Sequence, residues 1–312
     1  MNAPPVPLSL LLRRIAVFAM VLGIWFAPIP AGLTSAAWHL FAVFAGAIVS
    51  VLLGAFPLLT SSMLAVATVV LTGTIEMSKA FAGFANSSVL LVVVAFLVAQ
   101  AVVKSGLGRR ISLLIVSNFG SSPLGLAYSV VLTDAVIAPA FPSNTARGGV
   151  LFPVVLSLAQ SSGSKPEDPE GRRLGGYLMF CGMASLAISS VLWLTATSVN
   201  PIGVQVAAQF GVTIGFGRWL LTASVPTLTA MLLLPLVVRR LFSPGVDKTP
   251  DAPRAARAAL ESMGPMARDE IITGVAFTAM VTGWVLAGVL NISVTAVAFG
   301  GLGVLLATSV LT

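Results

Sequence analysis

Charge is scarce in this sequence. Of 312 residues only 9% are Asp, Glu, Lys or Arg, against about 25% in an ordinary soluble domain. One cysteine, Cys181, and one histidine, His39, are present, which excludes a disulfide framework and Cys/His metal clusters. A His-Glu-x-x-His pair, a Gly-x-Ser-x-Gly turn and a phosphate loop are all missing, so little catalytic inventory remains and an enzyme is not expected. What fills the chain is apolar: 57% of the residues are hydrophobic. A water-soluble fold would have to bury that surface in a core far larger than soluble domains build. The net charge of +7 would suggest nucleic acid in a soluble protein. Here it falls in short loops between apolar runs and reports membrane topology instead.

No charged residue occurs between Arg14 and Glu76, from Leu174 to Gly217, from Trp219 to Val238 or from Ile271 to Thr312. A membrane-spanning helix needs about 20 apolar residues, and eight spans are predicted: 15–33, 36–56, 60–75, 84–103, 174–199, 219–238, 271–290 and 292–311. Arg13 and Arg14 precede the first run as in a signal peptide, but no small-residue cleavage site follows and Pro28 and Pro30 interrupt it. That run reads as a retained first helix. The stretch 111–119 is too short to span. The stretch 123–158 contains Pro139, Pro142, Gly148, Gly149 and Pro153, so a straight helix is not expected there.

Charge decides how 123–158 runs. With a cytoplasmic amino terminus and 123–158 as a re-entrant hairpin, 14 of the 17 Lys and Arg residues face the cytoplasm. Lys79 and Arg218 face outward, and Arg147 alone lies inside the hairpin. A single pass would move Lys165, Arg172 and Arg173 outside and destroy the asymmetry, so the hairpin is favoured. The segments are then 1–35, an amino-terminal segment with the first helix; 36–242, a first repeat containing the hairpin; 243–270, a hydrophilic linker whose Arg254–Met263 stretch can lie as a helix on the membrane face; and 271–312, the start of a second repeat. Counting from the second span, five crossings plus one hairpin precede residue 271, and an odd number inverts the second copy, which is the logic of many secondary transporters. Only two spans of that copy are present, and the chain stops at Val310-Leu311-Thr312 without a basic or aromatic anchor, so it reads as truncated. The expected fold class is an all-α polytopic, inverted-repeat membrane protein.

Irregular backbone at membrane depth is tolerated only in a protein interior or facing water, which makes the tip the place to look. It reads Ala138-Pro139-Ala140-Phe141-Pro142-Ser143-Asn144-Thr145-Ala146-Arg147-Gly148-Gly149. Pro142 stops one helix, Ser143 or Asn144 can cap the next, and its free N–H groups attract anions. Ser143, Asn144 and Thr145 supply short polar arms for a carboxylate or a hard cation; the plainer alternative is that they merely cap a broken helix. Around Thr195-Ala196-Thr197-Ser198-Val199-Asn200-Pro201, Asn-Pro ends the fifth full span, as either a simple exit turn or a second break whose carbonyls ligate a cation. Asp134 is the one carboxylate in an apolar segment, and Arg147 needs a partner there. Asp134 and a substrate carboxylate are the two available. His39, beside Trp38, reads as interfacial, and the aromatics as packing and anchors.

These residues carry a resemblance. Gly83-Phe84-Ala85-Asn86, Gly106-Leu107-Gly108-Arg109-Arg110-Ile111, Leu124-Gly125-Leu126-Ala127-Tyr128 and above all the tip run resemble the divalent anion/sodium symporter family. The nearest branch holds bacterial citrate/succinate exchangers and plastid 2-oxoglutarate/malate translocators. Gly163-Ser164-Lys165-Pro166, Asn200-Pro201 and Met263-Gly264-Pro265-Met266 add weaker support. The resemblance implies an elevator-type secondary transporter of di- or tricarboxylates, usually a homodimer, here in a bacterial inner membrane. By position it implies Asn144 and Thr145 as substrate contacts, with Arg147 added from the tip's geometry. It implies sodium as the coupling ion, held by Ser143, Asn144 and Asn200 and by a carbonyl at Ala196 or Thr197, with no other cofactor and no nucleic-acid partner. The family's second motif is missing from this chain. Two readings stay open, a carboxylate transporter whole or in part, and a membrane subunit without independent transport; no charged ring marks an ion channel.

Overall fold

The computed structural model describes residues 7–165 and 172–311, so Pro166 and Thr312 of the stretches quoted above lie outside the described residues. Every regular element among these residues is helical: α1 (Leu8–Trp25), α2 (Ser35–Leu52), α3 (Leu58–Leu71), α4 (Met77–Ala80), α5 (Ser87–Ser105), α6 (Leu107–Phe119), α7 (Pro123–Ile137), α8 (Asn144–Ser161), α9 (Arg172–Leu192), α10 (Val199–Gln209), α11 (Phe216–Leu241), α12 (Asp251–Met263), α13 (Arg268–Leu290) and α14 (Val294–Ala307), with short 3₁₀ turns at Ala82–Ala85 and Ala138–Ala140. Seven stretches among them are long and apolar enough to cross a membrane, one being Pro123–Ala140.

The eight predicted spans correspond to α1, α2, α3, α5, α9, α11, α13 and α14. Two fall short. α3 and α14 have 14 residues each, about 21 Å of helix against a hydrocarbon core of about 30 Å. The first span is also displaced from the expected 15–33. α1 starts after Pro7 and ends at Trp25, ahead of Pro28 and Pro30, so Arg13 and Arg14 lie inside the helix and not before it. The fifth span, expected to run to 199, stops at Leu192.

The chain forms two compact units, Met1–Asn86 and Ser87–Thr312. In the first, α1, α2 and α3 pack in sequence. Gly46 lets α2 approach the Val21 side chain, and the Ser50 and Ser61 hydroxyls pair at 2.9 Å where α2 meets α3. Arg13 and Arg14 donate to the Leu53 and Ala55 carbonyls, satisfying backbone freed at the end of α2. His39 stacks on Trp25 with ring centroids 4.0 Å apart.

The second unit has two principal cores. One joins Leu126, Ala127 and Val130 of α7 to Leu151, Val155 and Leu158 of α8 and to Tyr177, Leu178 and Cys181 of α9. The other joins α5, α13 and α14 around the fully buried Trp284. The α12 helix closes the base of the hairpin. Thr249, just before it, bonds Ser121 and Gly120 at the start of α7, while Ala255, Ala256 and Ala259 share a cavity with Ser157 and Ser161 at the end of α8. Both ends of 123–158 thus meet the segment 249–259. Where the linker turns into α13, Arg110 donates to Glu270 at 2.7 and 2.9 Å and to the Gly264 and Pro265 carbonyls at 3.0 and 3.3 Å. Glu270 also accepts the Ala267 N–H at 2.8 Å.

The α6–α7 turn depends on its glycines, Gly125 above all. Ser122 caps α7 by accepting the Gly125 N–H at 3.1 Å, and a Cβ at Gly125 would run into the Phe119 carbonyl. Backbone cannot swing aside as a side chain can. Gly125→Ala should therefore lower the thermal midpoint and the amount of protein in the membrane. Gly176→Ala in α9, where a Cβ meets nothing within 4 Å, should be neutral or stabilising by up to about 1 kcal/mol from helix propensity.

Candidate functional site

Two helices of the second unit break inside apolar sequence. α7 passes into the 3₁₀ turn Ala138–Ala140, Phe141 turns extended, and Ser143 caps α8 with its Oγ accepting the Ala146 N–H at 3.3 Å. Pro139 and Pro142 have no N–H to continue the ladder. α9 stops at Leu192, and after the irregular stretch 193–198 α10 begins at Val199. Here the structure corrects the sequence: Asn200-Pro201 does not end a span but lies in the first turn of a new helix, where the missing N–H of proline costs nothing.

The breaks meet. Trp193 Nε1 donates to the Ala135 carbonyl at 2.9 Å, Thr195 Oγ1 to the Pro139 carbonyl at 2.9 Å, and the Ser198 N–H to the Pro142 carbonyl at 3.1 Å. The first bond has a simple cause. Residue 139 is the helical partner of Ala135, and a proline there leaves that carbonyl an orphan. The end of α9 is satisfied by α10 and α11. Asn200 Nδ2 donates to the Ser190 and Trp193 carbonyls at 2.7 and 3.1 Å, and Trp219 Nε1 to the Val191 carbonyl at 2.9 Å. Ile137, Ala140 and Phe141 seat the tip on Ala99 and Val102 of α5.

Behind the tip lies an ion pair. Arg147 Nε is 2.8 Å from Asp134 Oδ1, and neither side chain is exposed. Asp134 Oδ2 accepts the hydroxyls of Ser185 and Ser189 at 2.6 Å each. Arg147 Nη2 donates to the Leu186 carbonyl at 2.7 Å and to Asn144 Oδ1 at 3.1 Å. A Cβ at Gly148 would press on Leu186, so the glycine lets α8 cross α9 at the level where this bond forms. Of the two partners open to Arg147, the structure supplies Asp134. Arg147 Nη1 is buried without a hydrogen-bond partner among the described residues.

Of the other residues singled out, Ser143, Asn144, Thr197 and Asn200 are half-buried, Thr145 is exposed and Ala196 is buried. All stand at the two facing breaks. Sequence reasoning missed three participants. Trp193 reads as packing but serves as a donor. Ser185 and Ser189 are one helical turn apart, a spacing that puts both on one face of α9, yet nothing local announced the carboxylate they address.

Paired helix starts within an all-helical, polytopic membrane fold define the class. The family described as the sodium:sulfate symporter transmembrane region matches residues 8–312, and this chain belongs to that family. It is 38% identical over 296 residues to the putative malate transporter YflS of Bacillus subtilis (strain 168), covering 94% of this chain and 62% of that protein. It is 39% identical to the chloroplastic dicarboxylate transporter 1 of Spinacia oleracea, covering 93% and 51%, and 31% identical to an L-tartrate/succinate antiporter of Escherichia coli O6:K15:H31 (strain 536 / UPEC), covering 88% and 61%. The chain spans between about half and three-fifths of the length of these curated relatives.

Removing one partner of a buried ion pair strands the other, at about 3–5 kcal/mol. Asp134→Asn should accordingly lower the thermal midpoint in detergent and deplete the protein from membranes. Wild-type stability in that variant would show that the pair does not hold the hairpin.

Proposed function

We propose that this chain supplies a carboxylate half-site for secondary active transport of di- or tricarboxylates, of the malate, succinate, 2-oxoglutarate or citrate class, in an elevator-type carrier working by anion exchange or sodium symport. The observation that carries the reading is the Ser198 N–H bond to the Pro142 carbonyl, which brings the starts of α8 and α10 to one place. The first-turn N–H groups of a helix have no partner within it, and their partial positive charge suits a carboxylate. Names of relatives point the same way, since a malate transporter, a dicarboxylate transporter and a tartrate/succinate antiporter all carry similar chains.

In this reading Asn144 and Thr145 contact the substrate. Ser143, Asn200 and a backbone carbonyl of Asn144, Ala196 or Thr197 offer neutral oxygens to sodium, a hard cation served by such ligands. The carrier works as a homodimer in a bacterial inner membrane with its amino terminus in the cytoplasm.

The test uses the protein expressed from its own gene and reconstituted in liposomes. Labelled succinate or malate should enter saturably, driven by internal dicarboxylate or by an inward sodium gradient. Asn144→Ala should lower kcat/KM at least tenfold with the thermal midpoint kept. Uptake no greater than in empty liposomes under both driving forces would refute the proposal.

A further inference from the structure

We infer that Asp134, Ser185, Ser189 and Arg147 form a positioning relay that fixes which end of the Asn144 carboxamide faces the substrate. The inference rests on the carboxylate-transport reading above and extends it to residues that touch no ligand.

An asparagine amide is nearly symmetric in shape, but its oxygen accepts and its nitrogen donates. Left free at a half-exposed helix start, it turns either end outward. Arg147 removes that freedom. A guanidinium only donates, and its Nη2 lies 3.1 Å from Asn144 Oδ1; the flipped amide would set donor against donor. The oxygen is therefore held inward and the NH2 group is turned to the site. There it joins the Asn144 and Thr145 N–H groups in the first turn of α8 in a set made of donors, suited to an end that only accepts, as a carboxylate does.

The lock is strong because Arg147 is itself fixed. Its Nε faces Asp134 Oδ1 at 2.8 Å, its Nη2 also holds the Leu186 carbonyl, and both Ser185 and Ser189 pin the far oxygen of Asp134. All four residues of the relay have 0% exposure, so water does not compete for these bonds. The orientation set by α9 thus passes through α7 to the start of α8. The Asp134–Arg147 pair is neutral as a unit and contributes direction in place of net charge.

Two variants separate this role from a scaffold. Arg147→Lys keeps a partner that only donates. Asp134→Asn/Arg147→Gln replaces the ion pair by two amides, leaves no buried charge unpaired, and lets Asn144 settle either way. Both are assayed by succinate counterflow in the reconstituted protein, alongside thermal midpoint and membrane abundance. Inhibition by succinamate, in which an amide replaces one carboxylate, is measured in parallel.

The double variant should keep its thermal midpoint within a few degrees and its maximal rate within about threefold. Its KM for succinate should rise about tenfold, equivalent to about 1.4 kcal/mol, and its preference for succinate over succinamate should fall. Arg147→Lys should keep KM within about threefold despite lower stability. A double variant with wild-type KM and wild-type discrimination overturns the relay. Should that protein not accumulate, Ser185→Ala/Ser189→Ala is read by the same criterion. Wild-type protein that transports no dicarboxylate removes the transport reading and the relay with it, whereas transport with an unmoved KM removes the relay alone.

Discussion

A peptide group released from a helix at membrane depth has no water to turn to, and everything distinctive in the second unit follows from how this chain meets that constraint. Two breaks are placed side by side, and the second supplies donors that the first lacks. Trp193, Thr195 and the Ser198 N–H take the carbonyls of Ala135, Pro139 and Pro142. Asn200 takes those of Ser190 and Trp193. Prolines that would be liabilities in a lone helix become the reason that two segments recognise each other.

That exchange also decides what is left for a ligand. The carbonyl ends of α7 and α9 are engaged, whereas Asn144 and Thr145 of α8 and Val199 of α10 keep N–H groups that a helix does not use internally; Ser143 takes the Ala146 N–H, the Asn200 N–H bonds the Thr197 carbonyl and Pro201 has none. Behind them the Asp134–Arg147 pair, with its two serines, is buried and held by three helices. In the proposed carboxylate site the polar groups are thereby aimed before a ligand arrives, which reduces the ordering cost on binding.

Much of this was legible in the sequence. The break between α7 and α8 followed from prolines and glycines in an apolar stretch, and α12 followed from the Arg254–Met263 stretch. The resemblance to the divalent anion/sodium symporters agrees with the family found. Misreadings have physical causes. Asn200-Pro201 was read as a terminator because proline breaks helices, yet in a first turn it starts one. The fifth span accordingly ends at Leu192 instead of Val199. Arg13 and Arg14 were read as lying before the first helix, but carbonyls freed at the end of α2 hold them inside it. The relay through Ser185 and Ser189 joins residues more than 50 positions from Asp134, a pairing that no local pattern encodes.

The central claim is that the starts of α8 and α10 form one carboxylate site, and ligand protection tests it most directly. Ala146 and Val199 stand at those two starts, are exposed and are assigned no ligand contact, and the native Cys181 is buried. Single variants Ala146→Cys and Val199→Cys, treated with a maleimide over a range of succinate concentrations, should both be protected with the same half-maximal concentration. Gln209→Cys, at the far end of α10, should label at one rate throughout. Protection of one position without the other, or of neither, would contradict the account.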